Sequence, residues 1–291
     1  MKRQASVSFK HSLAVALTAV LAALVALTIA AGSSPAQPQA IDRPLAVMTY
    51  NIHHGVGVDD RLDLDRIAAV IQDSGAGVVG LQEVDNHWSS RSNFEDQARL
   101  LAERLGMHYV YAANLDLEPA EPGQPRRQYG TAILSKYPIL ESENTLLPRP
   151  QGGEQRGLLE ALVNVRGVPV RVYNTHLQHN SQVERTAQVA AIMEHIGETE
   201  EPSILVGDLN ARPDAPEMQP LYTRFDDAWV EGGEGPGYTL PAEAPNSRID
   251  YILVTPDIQV QDARVLDTLA SDHRPVVSNV LIPGEEVGAG R

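Results

Sequence analysis

Cysteine is absent from all 291 residues, which excludes disulfides, zinc–thiolate sites and a cysteine nucleophile. Any metal must be held by oxygen or imidazole, a donor set that favours a hard cation such as Mg²⁺, with Mn²⁺ or Ca²⁺ as substitutes. Positive charge is scarce: 23 Lys and Arg stand against 38 Asp and Glu, a formal net charge of −15. That balance disfavours tight, non-specific binding of nucleic acid, which relies on clustered cations to displace counterions. It does not exclude a nuclease, because a metal and a local patch at Arg126, Arg127, Arg149 and Arg156 would offset the global field. Other signatures are missing too. There is no G-x-S-x-G elbow, and the adjacent residues Ser271-Asp272-His273 cannot form a triad relay. Gly55-Val56-Gly57 lacks the third glycine and following helix of a dinucleotide loop, and no Walker lysine phrase occurs.

At the N-terminus, Lys2, Arg3 and Lys10 precede an uncharged stretch, residues 12–31, and a Ser/Pro/Gln/Ala-rich segment that ends near Ala40. This is the pattern of a signal peptide with a linker over residues 1–40, and Ser34-Pro35-Ala36 suits cleavage. The apolar length is also near the lower limit for a membrane span, so an uncleaved N-terminal anchor is the second reading. Either way residues 41–291 are expected outside the cytoplasm, because the basic flank stays on the cytoplasmic side. Roughly 250 residues then remain, enough for one sizeable core.

From Leu45 onward, short apolar runs alternate with amphipathic helices, the behaviour of an α/β chain. Residues 45–50, 77–81, 109–112, 131–134, 158–165, 169–173, 204–206, 249–254 and 276–281 read as strands. Leu64, Ile67, Ala68 and Ile71 recur at helical spacing, residues 94–105 form a second helix stopped by Gly106, and Ser181 with Glu184 makes a capping box that opens a third, to about Ile196. Arg166-Gly167-Val168 joins two consecutive strands as a hairpin. No repeat divides the domain, although a strand, helix and acidic-loop unit can be argued to occur twice. Gly/Pro/Glu-rich loops at 118–127, 148–155, 213–220 and 231–246 are the expected rim of a site.

Five short phrases end strand-like runs: Asn51 in TYNIHH, Glu83 in LQEVD, Asp208 and Asn210 in GDLNARP, Asp250 in RIDYIL, and Asp272-His273 in SDHRP, with His176 of NTHLQ between them. Taken singly, most have bland readings. GDLN makes a turn, Glu83 is an exposed glutamate, His176 is a structural histidine, His53-His54 could bind metal but reads better as a surface loop, and Arg156 is a solvated edge charge. Asp250 is harder to dismiss, because a carboxylate inside the apolar strand IDYILV needs a partner. His273 is the natural one, since an Asp-His pair fixes the tautomer and raises the basicity of the ring. In an extended backbone Asp208 and Asn210 would share one side with Leu209 turned to the core, and Asn174 and His176 would do the same. Asp272 and His273 belong to the loop before Pro275, where Asp272 can address metal and His273 phosphate.

In this order the residues resemble the endonuclease/exonuclease/phosphatase superfamily, also called the DNase I-like fold, over nearly everything from Leu45 to Pro283. The resemblance rests on Asn51, Glu83, YGTAILS around Tyr129, His176, Asp208, Asn210, Asp250, Asp272 and His273. It implies a four-layered α/β sandwich, two packed mixed sheets flanked by helices, with the site at one end. It also implies a metal-dependent hydrolase in which Glu83 is the principal Mg²⁺ ligand, assisted by Asn51 and Asp272. Asp208 with Asn210 resembles the water-activating pair. His176 and His273 resemble the phosphate-binding and proton-transfer histidines, the latter oriented by Asp250, and the proton acceptor stays open between Asp208 and His273. Asn174, Arg156 and Tyr129 join His176 and Asn210 as candidates to bind the substrate phosphate. YNIHHGVG, LDLDRIA and LQEVD look most like exported or membrane-linked bacterial members related to the C-terminal domain of fungal Cwh43, which implies a GPI-type or phospholipid substrate. The sequence departs in showing no acid placed to pair with His176 and no basic DNA-contacting loops. The expectation is a monomeric, exported phosphodiesterase or phosphatase, with an extracellular nuclease as the alternative and an inactive binding module of the same fold as the third reading.

Overall fold

Strand β1 (Arg43–Asn51) buries both of its faces: Leu45 and Val47 enter one apolar cluster while Met48 and Tyr50 enter another. A strand with two buried faces must be covered on both sides, which is why its sequence is nearly continuous in apolar residues rather than alternating. The same division recurs across the computed structural model, which describes residues 41–198 and 201–284. The expected leader, residues 1–40, lies outside the described residues.

In chain order, β1 is followed by α1 (Leu64–Ser74), β2 (Val78–Asn86), α2 (Gln97–Leu105), β3 (His108–Leu117), β4 (Arg127–Ser135), β5 (Ile139–Leu146) and β6 (Gly157–Val165). Then come β7 (Val168–His176), α3 (Gln182–Ile196), β8 (Ser203–Asp208), β9 (Asp226–Asp227), α4 (Ala228–Gly232), β10 (Asp250–Val254), β11 (Gln259–Val265) and β12 (Val276–Ile282). Two six-stranded sheets result, ordered β11-β12-β1-β2-β4-β3 and β5-β6-β7-β8-β10-β9. Leu45, Val47, Val172, Ile204 and Val206 form the central core between them. Ile67, Ile71 and Leu101 pack α1 and α2 onto the first sheet, and Val189, Ile192 and Ile196 pack α3 onto the second. The fold is the four-layered α/β sandwich.

The two sheets are built alike. Each has one parallel pair at its centre, β1 with β2 and β7 with β8, and each pair is joined by one crossover helix or its neighbourhood, α1 or α3. All other pairings are antiparallel. The carboxyl ends of parallel strands open onto loops at one edge, where α/β sheets place their ligands. Here those ends carry Asn51 on β1, His176 on β7 and Asp208 on β8, with Glu83 near the end of β2.

A polar fastening holds the sheets together just beneath that edge. Gln82 Nε2 donates to Asn174 Oδ1 at 2.7 Å across the interface, and Asn174 Nδ2 donates to the carbonyls of Leu81 (2.9 Å) and Ala132 (2.8 Å). Beside it Gly80 lets β2 approach β8 closely: a Cβ there would lie 2.3 Å from Val206 Cγ2 and 3.1 Å from Asn174 Cγ.

Local rules account for the helix ends. Asp63 and Ser181 cap α1 and α3, accepting from the amides of Arg66 and Glu184, and Gly75 and Gly106 end α1 and α2 in the left-handed conformation. Three expectations need correction. Helix α2 begins at Gln97 rather than at residue 94, because Asn93 and Phe94 are left-handed and Asp96 provides the cap. The capping box at Ser181 is half made, since Glu184 turns its carboxylate to the amides of Gln151 and Gly153. Strands β5, β9 and β11 were not expected, and all three are sheet edges. The hairpin turn is tighter than expected: Arg166 and Gly167, both at positive φ, make a two-residue connection from Val165 to Val168. Among the described residues no helix is long and apolar enough to cross a membrane.

Gly80→Ala should lower unfolding stability by about 1–3 kcal/mol, the usual range for overpacking a core. Chemical denaturation measures it, and an unchanged midpoint would contradict the close approach of β2 and β8.

Candidate active site

Asp208 is the meeting point of the site. It ends β8 fully buried, and its Oδ2 receives Asn51 Nδ2 at 3.1 Å from the first sheet. His176 Nε2 stands 3.5 Å from that oxygen and His273 Nε2 3.7 Å. Oδ1 accepts the backbone N–H of Asn210 at 2.9 Å. The extended arrangement expected for GDLN is not found: Asn210 is left-handed (φ 49°), so the phrase is a turn that folds the amide back over its own carboxylate. Leu209 does point into the core, and Asn210 Nδ2 donates to the Leu177 carbonyl at 3.0 Å.

Asp250 and His273 are paired. His273 Nδ1 lies 2.9 Å from Asp250 Oδ2, which also accepts the Thr239 hydroxyl, and Asp250 Oδ1 is buried without a partner. Burial works against a charged ring, but the carboxylates of Asp250 and Asp208 overcome it and push His273 up to about 10. Asp208 is raised above the carboxylate range, first by burial and then by the charge of Asp250, with His273 and the Asn51 and Asn210 hydrogen bonds acting the other way. Asp272 and His273 occupy the loop before Pro275, where Ser271 Oγ–H donates to the Asn51 carbonyl at 2.7 Å and anchors that loop to the end of β1.

His176 has a partner of unexpected kind. Its Nδ1 lies 3.0 Å from Nη1 of the buried Arg156. A guanidinium only donates, so Nδ1 must accept and the ring proton sits on Nε2, facing Asp208. Burial first, then the charges of Arg156 and His273, depress His176 well below its ordinary value and keep it neutral. No acid is needed to hold the tautomer.

The other side of the site gathers around Glu83. A register shift between Leu81 and Val84 marks a bulge in β2, and Glu83 within it adopts φ 58°. Asn51 Nδ2 donates to Glu83 Oε1 at 3.2 Å as well as to Asp208, while its Oδ1 accepts the His53 amide at 3.1 Å. Asp272 Oδ1 lies 3.9 Å from His53 Nδ1. His54 is lowered to about 4 by burial and by the charges of Arg91 and His53. Tyr129 is buried beside Trp88, with Arg91 over its ring at 5.4 Å, and its phenol is raised by burial and by the charge of Glu83.

These positions revise three of the expected roles. Asn174 is buried between the sheets with both amide hydrogens committed to carbonyls, so it offers no donor to a phosphate. Arg156 is no solvated edge charge: its Nη1 also lies 3.0 Å from Glu154 Oε1, and it acts on the site through His176. Asn51 presents its amide nitrogen, not its oxygen, to Glu83, and so bridges two carboxylates as a donor. The site also has members to which the sequence reading gave no role. Thr239 comes from the Gly/Pro-rich loop 231–246, and Ser271 was considered only as part of a triad.

A divalent cation suits this donor set. Among the described residues no Lys or Arg forms an ion pair with Glu83, Asp208, Asp250 or Asp272, whose carboxylates meet histidines, amides and the hydroxyls of Thr239 and Ser271. Glu83 could hold the ion through its carboxylate, and Asp272, 3.9 Å from His53 Nδ1, offers a further oxygen donor.

The sequence profile described as the Endonuclease/Exonuclease/phosphatase family matches residues 48–273. The chain belongs to that family. Its members hydrolyse phosphoester bonds and generally depend on divalent metal, and this family member is a phosphoester hydrolase. It is 31% identical over 205 residues to protein cwh43 of Schizosaccharomyces pombe, an alignment that covers 69% of this chain and 20% of the yeast protein. The chain thus spans about one fifth of that relative's length. Among solved structures it is similar to an endonuclease/exonuclease/phosphatase from Beutenbergia cavernae, with 29% identity and a TM-score of 0.71 over 84% of this chain and 73% of the other. It shares the fold of the mannosyl-6-phosphatase Bt3783 of Bacteroides thetaiotaomicron at 19% identity, TM-score 0.66, covering 81% of this chain and 99% of that one.

Asp250→Asn should lower the pKa of His273 from about 10 toward the ordinary imidazole range, because the negative charge that favours the protonated ring is removed. Titration of the His273 ring protons by NMR reads this directly. An unmoved titration would show that Asp250 does not set the charge of the ring.

Proposed function

We propose that this family member hydrolyses a small or lipid-linked phosphoester by in-line attack of water, and does so outside the cytoplasm. The observation that carries the reading is the convergence on one buried carboxylate, Asp208, of a neutral imidazole, a protonated imidazole and an amide drawn from both sheets. Asp208 accepts the proton of the attacking water. Its raised pKa makes it a stronger base than an ordinary aspartate, and His273, already protonated, is the poorer acceptor. Asn210, one of whose amide hydrogens is not engaged by Leu177, orients that water. His176 and His273 donate their Nε2–H groups to phosphoryl oxygens as negative charge builds. Glu83 with Asp272 would hold Mg²⁺, with Mn²⁺ or Ca²⁺ as substitutes, and Asn51 would keep Glu83 and Asp208 in register. When bound, the ion supplies Lewis-acid stabilisation of the phosphoryl oxygens.

Charge supports a small substrate over a long polyanion. The basic patch that would have favoured nucleic acid is largely spent internally: Arg126 pairs with Asp116 and Glu118, Arg127 donates to the Glu118 carbonyl, and Arg156 is buried. The sugar-phosphatase name of the Bacteroides structure points the same way. Exposed apolar side chains at Phe94 and at Leu269, three residues before Asp272, suit a lipid-linked group. The leader pattern of residues 1–40 supports export. Fractionation of cells expressing the full chain should recover it outside the cytoplasm, and retention in the cytosol would refute export.

A panel of sphingomyelin, phosphoinositides, supercoiled DNA, RNA and a chromogenic diester, assayed with Mg²⁺, tests the reaction and its substrate together. His273→Ala should reduce the best activity at least about a hundredfold, as expected for a proton-transfer group. Plasmid nicking at physiological salt that disappears in Asp208→Ala, with the lipids inert, would establish a nuclease instead. Hydrolysis of nothing in the panel with Mg²⁺, Mn²⁺ or Ca²⁺ would leave a binding module.

A further inference from the structure

His53, His54 and Glu83 each place one ligand-capable atom within 4.8 Å of the others. They come from separate segments, the turn after β1 and the bulge of β2, and all three residues hold positive φ, 44°, 43° and 58°. Left-handed backbone is rare for residues with a Cβ, and three such residues aimed at one point call for a reason beyond chain direction. The turn is held from several sides. The His53 amide donates to Asn51 Oδ1 at 3.1 Å, Gln97 Nε2 donates to the His54 carbonyl at 2.6 Å, and the Gly55 amide donates to the Ile52 carbonyl at 2.8 Å. A Cβ at Gly55 would come within 2.8 Å of Leu64, so the turn is packed against the head of α1.

The imidazoles have the hydrogen-bonding pattern of ligands. His53 Nδ1 faces the Val56 carbonyl at 3.3 Å, which places the ring proton there and leaves a lone pair on Nε2. A histidine that binds metal usually donates its other N–H to a carbonyl or carboxylate in this way. His54 Nδ1 is buried with no hydrogen-bond partner, an arrangement a native interior rarely leaves unanswered. The two rings meet edge to face with centroids 4.4 Å apart.

We infer that His53 and His54 join Glu83 as ligands of the site's divalent ion, so that the site prefers a transition-metal ion such as Mn²⁺ or Zn²⁺ to Mg²⁺. Two imidazoles and a carboxylate form a donor set suited to first-row transition ions, whereas Mg²⁺ selects oxygen donors and retains water. The inference rests on reading Glu83 as the metal-side carboxylate. It adds nitrogen donors from a turn that otherwise has no role in the reaction.

The test uses the full chain stripped of metal by a chelator and titrated with MnCl₂, ZnCl₂ or MgCl₂ by calorimetry, alongside His53→Ala, His54→Ala, His54→Asn and Glu83→Gln, each first shown to be folded by circular dichroism. Wild type should bind Mn²⁺ and Zn²⁺ at least about tenfold more tightly than Mg²⁺, and each histidine variant should lose about tenfold or more of that affinity while holding its Mg²⁺ affinity. Pulsed EPR of bound Mn²⁺ should show ¹⁴N couplings from directly coordinated imidazole, reduced in each histidine variant. Unchanged Mn²⁺ affinity in the variants together with no ¹⁴N coupling overturns the inference. If Glu83→Gln then still abolishes Mg²⁺ binding and hydrolysis, the proposed function stands without it. Imidazole-bound Mn²⁺ in a protein that hydrolyses none of the substrates would overturn the proposed function and leave the metal site standing.

Discussion

The Gln82–Asn174 hydrogen bond and the two carbonyls that Asn174 serves fix how one sheet lies on the other, and the site exists only because of that registration. Glu83 and Asn51 belong to the first sheet, His176, Asp208 and Asp250 to the second. Each half alone carries an incomplete set of ligands or of proton-transfer groups. A buried amide with its partners satisfied specifies one arrangement far better than apolar packing, which tolerates sliding, because a shift of one residue would strand several polar groups without water. Asn51 repeats the device one layer higher, where a single amide nitrogen holds a carboxylate from each sheet.

Electrostatics then differentiate residues of one type. The two site histidines are both buried, yet His273 faces two carboxylates and keeps its proton, while His176 backs onto a guanidinium and stays neutral. The aspartates diverge as well. Asp250 is spent on His273, and Asp208 is left with weaker donors in a desolvated position. Acid, base and neutral donor thus arise from neighbours rather than from residue type.

Much of this was legible in the chain, and the remainder was hidden for identifiable reasons. Strands with an apolar run facing the core announce themselves, so β1, β2, β4, β6, β7, β8, β10 and β12 could be read, together with the short run 109–112 of the edge strand β3. Strands β5, β9 and β11 lie at edges, and a sequence such as Ile139–Leu146 (ILESENTL), largely exposed, has no core to write a pattern into it. The pairing of Asp250 with His273 followed from the difficulty of burying a lone carboxylate, and their side chains meet at 2.9 Å. The partner of His176 did not follow, because the search was for an acid and the fold supplies Arg156 from the loop just before β6. Thr239 sits in a loop whose composition marks it only as a loop. Strand geometry placed Asp208 and Asn210 on one side of an extended chain, but a left-handed turn at Asn210 instead sends its backbone N–H to Asp208 and its side-chain amide to the Leu177 carbonyl.

The pairing of β1 with β12 has a consequence in time. The first strand of the domain lies between β2 and a strand made from residues 276–282, so the first sheet stays open along that edge until nearly the whole chain has been synthesised. Asp272 and His273 arrive immediately before that last strand. A chain that emerges from its amino end, whether from the ribosome or through a membrane, therefore carries Asn51 and Glu83 early but receives Asp272 and His273 last. By topology, the proton-transfer pair of Asp250 and His273 is the last part of the site to be put in place.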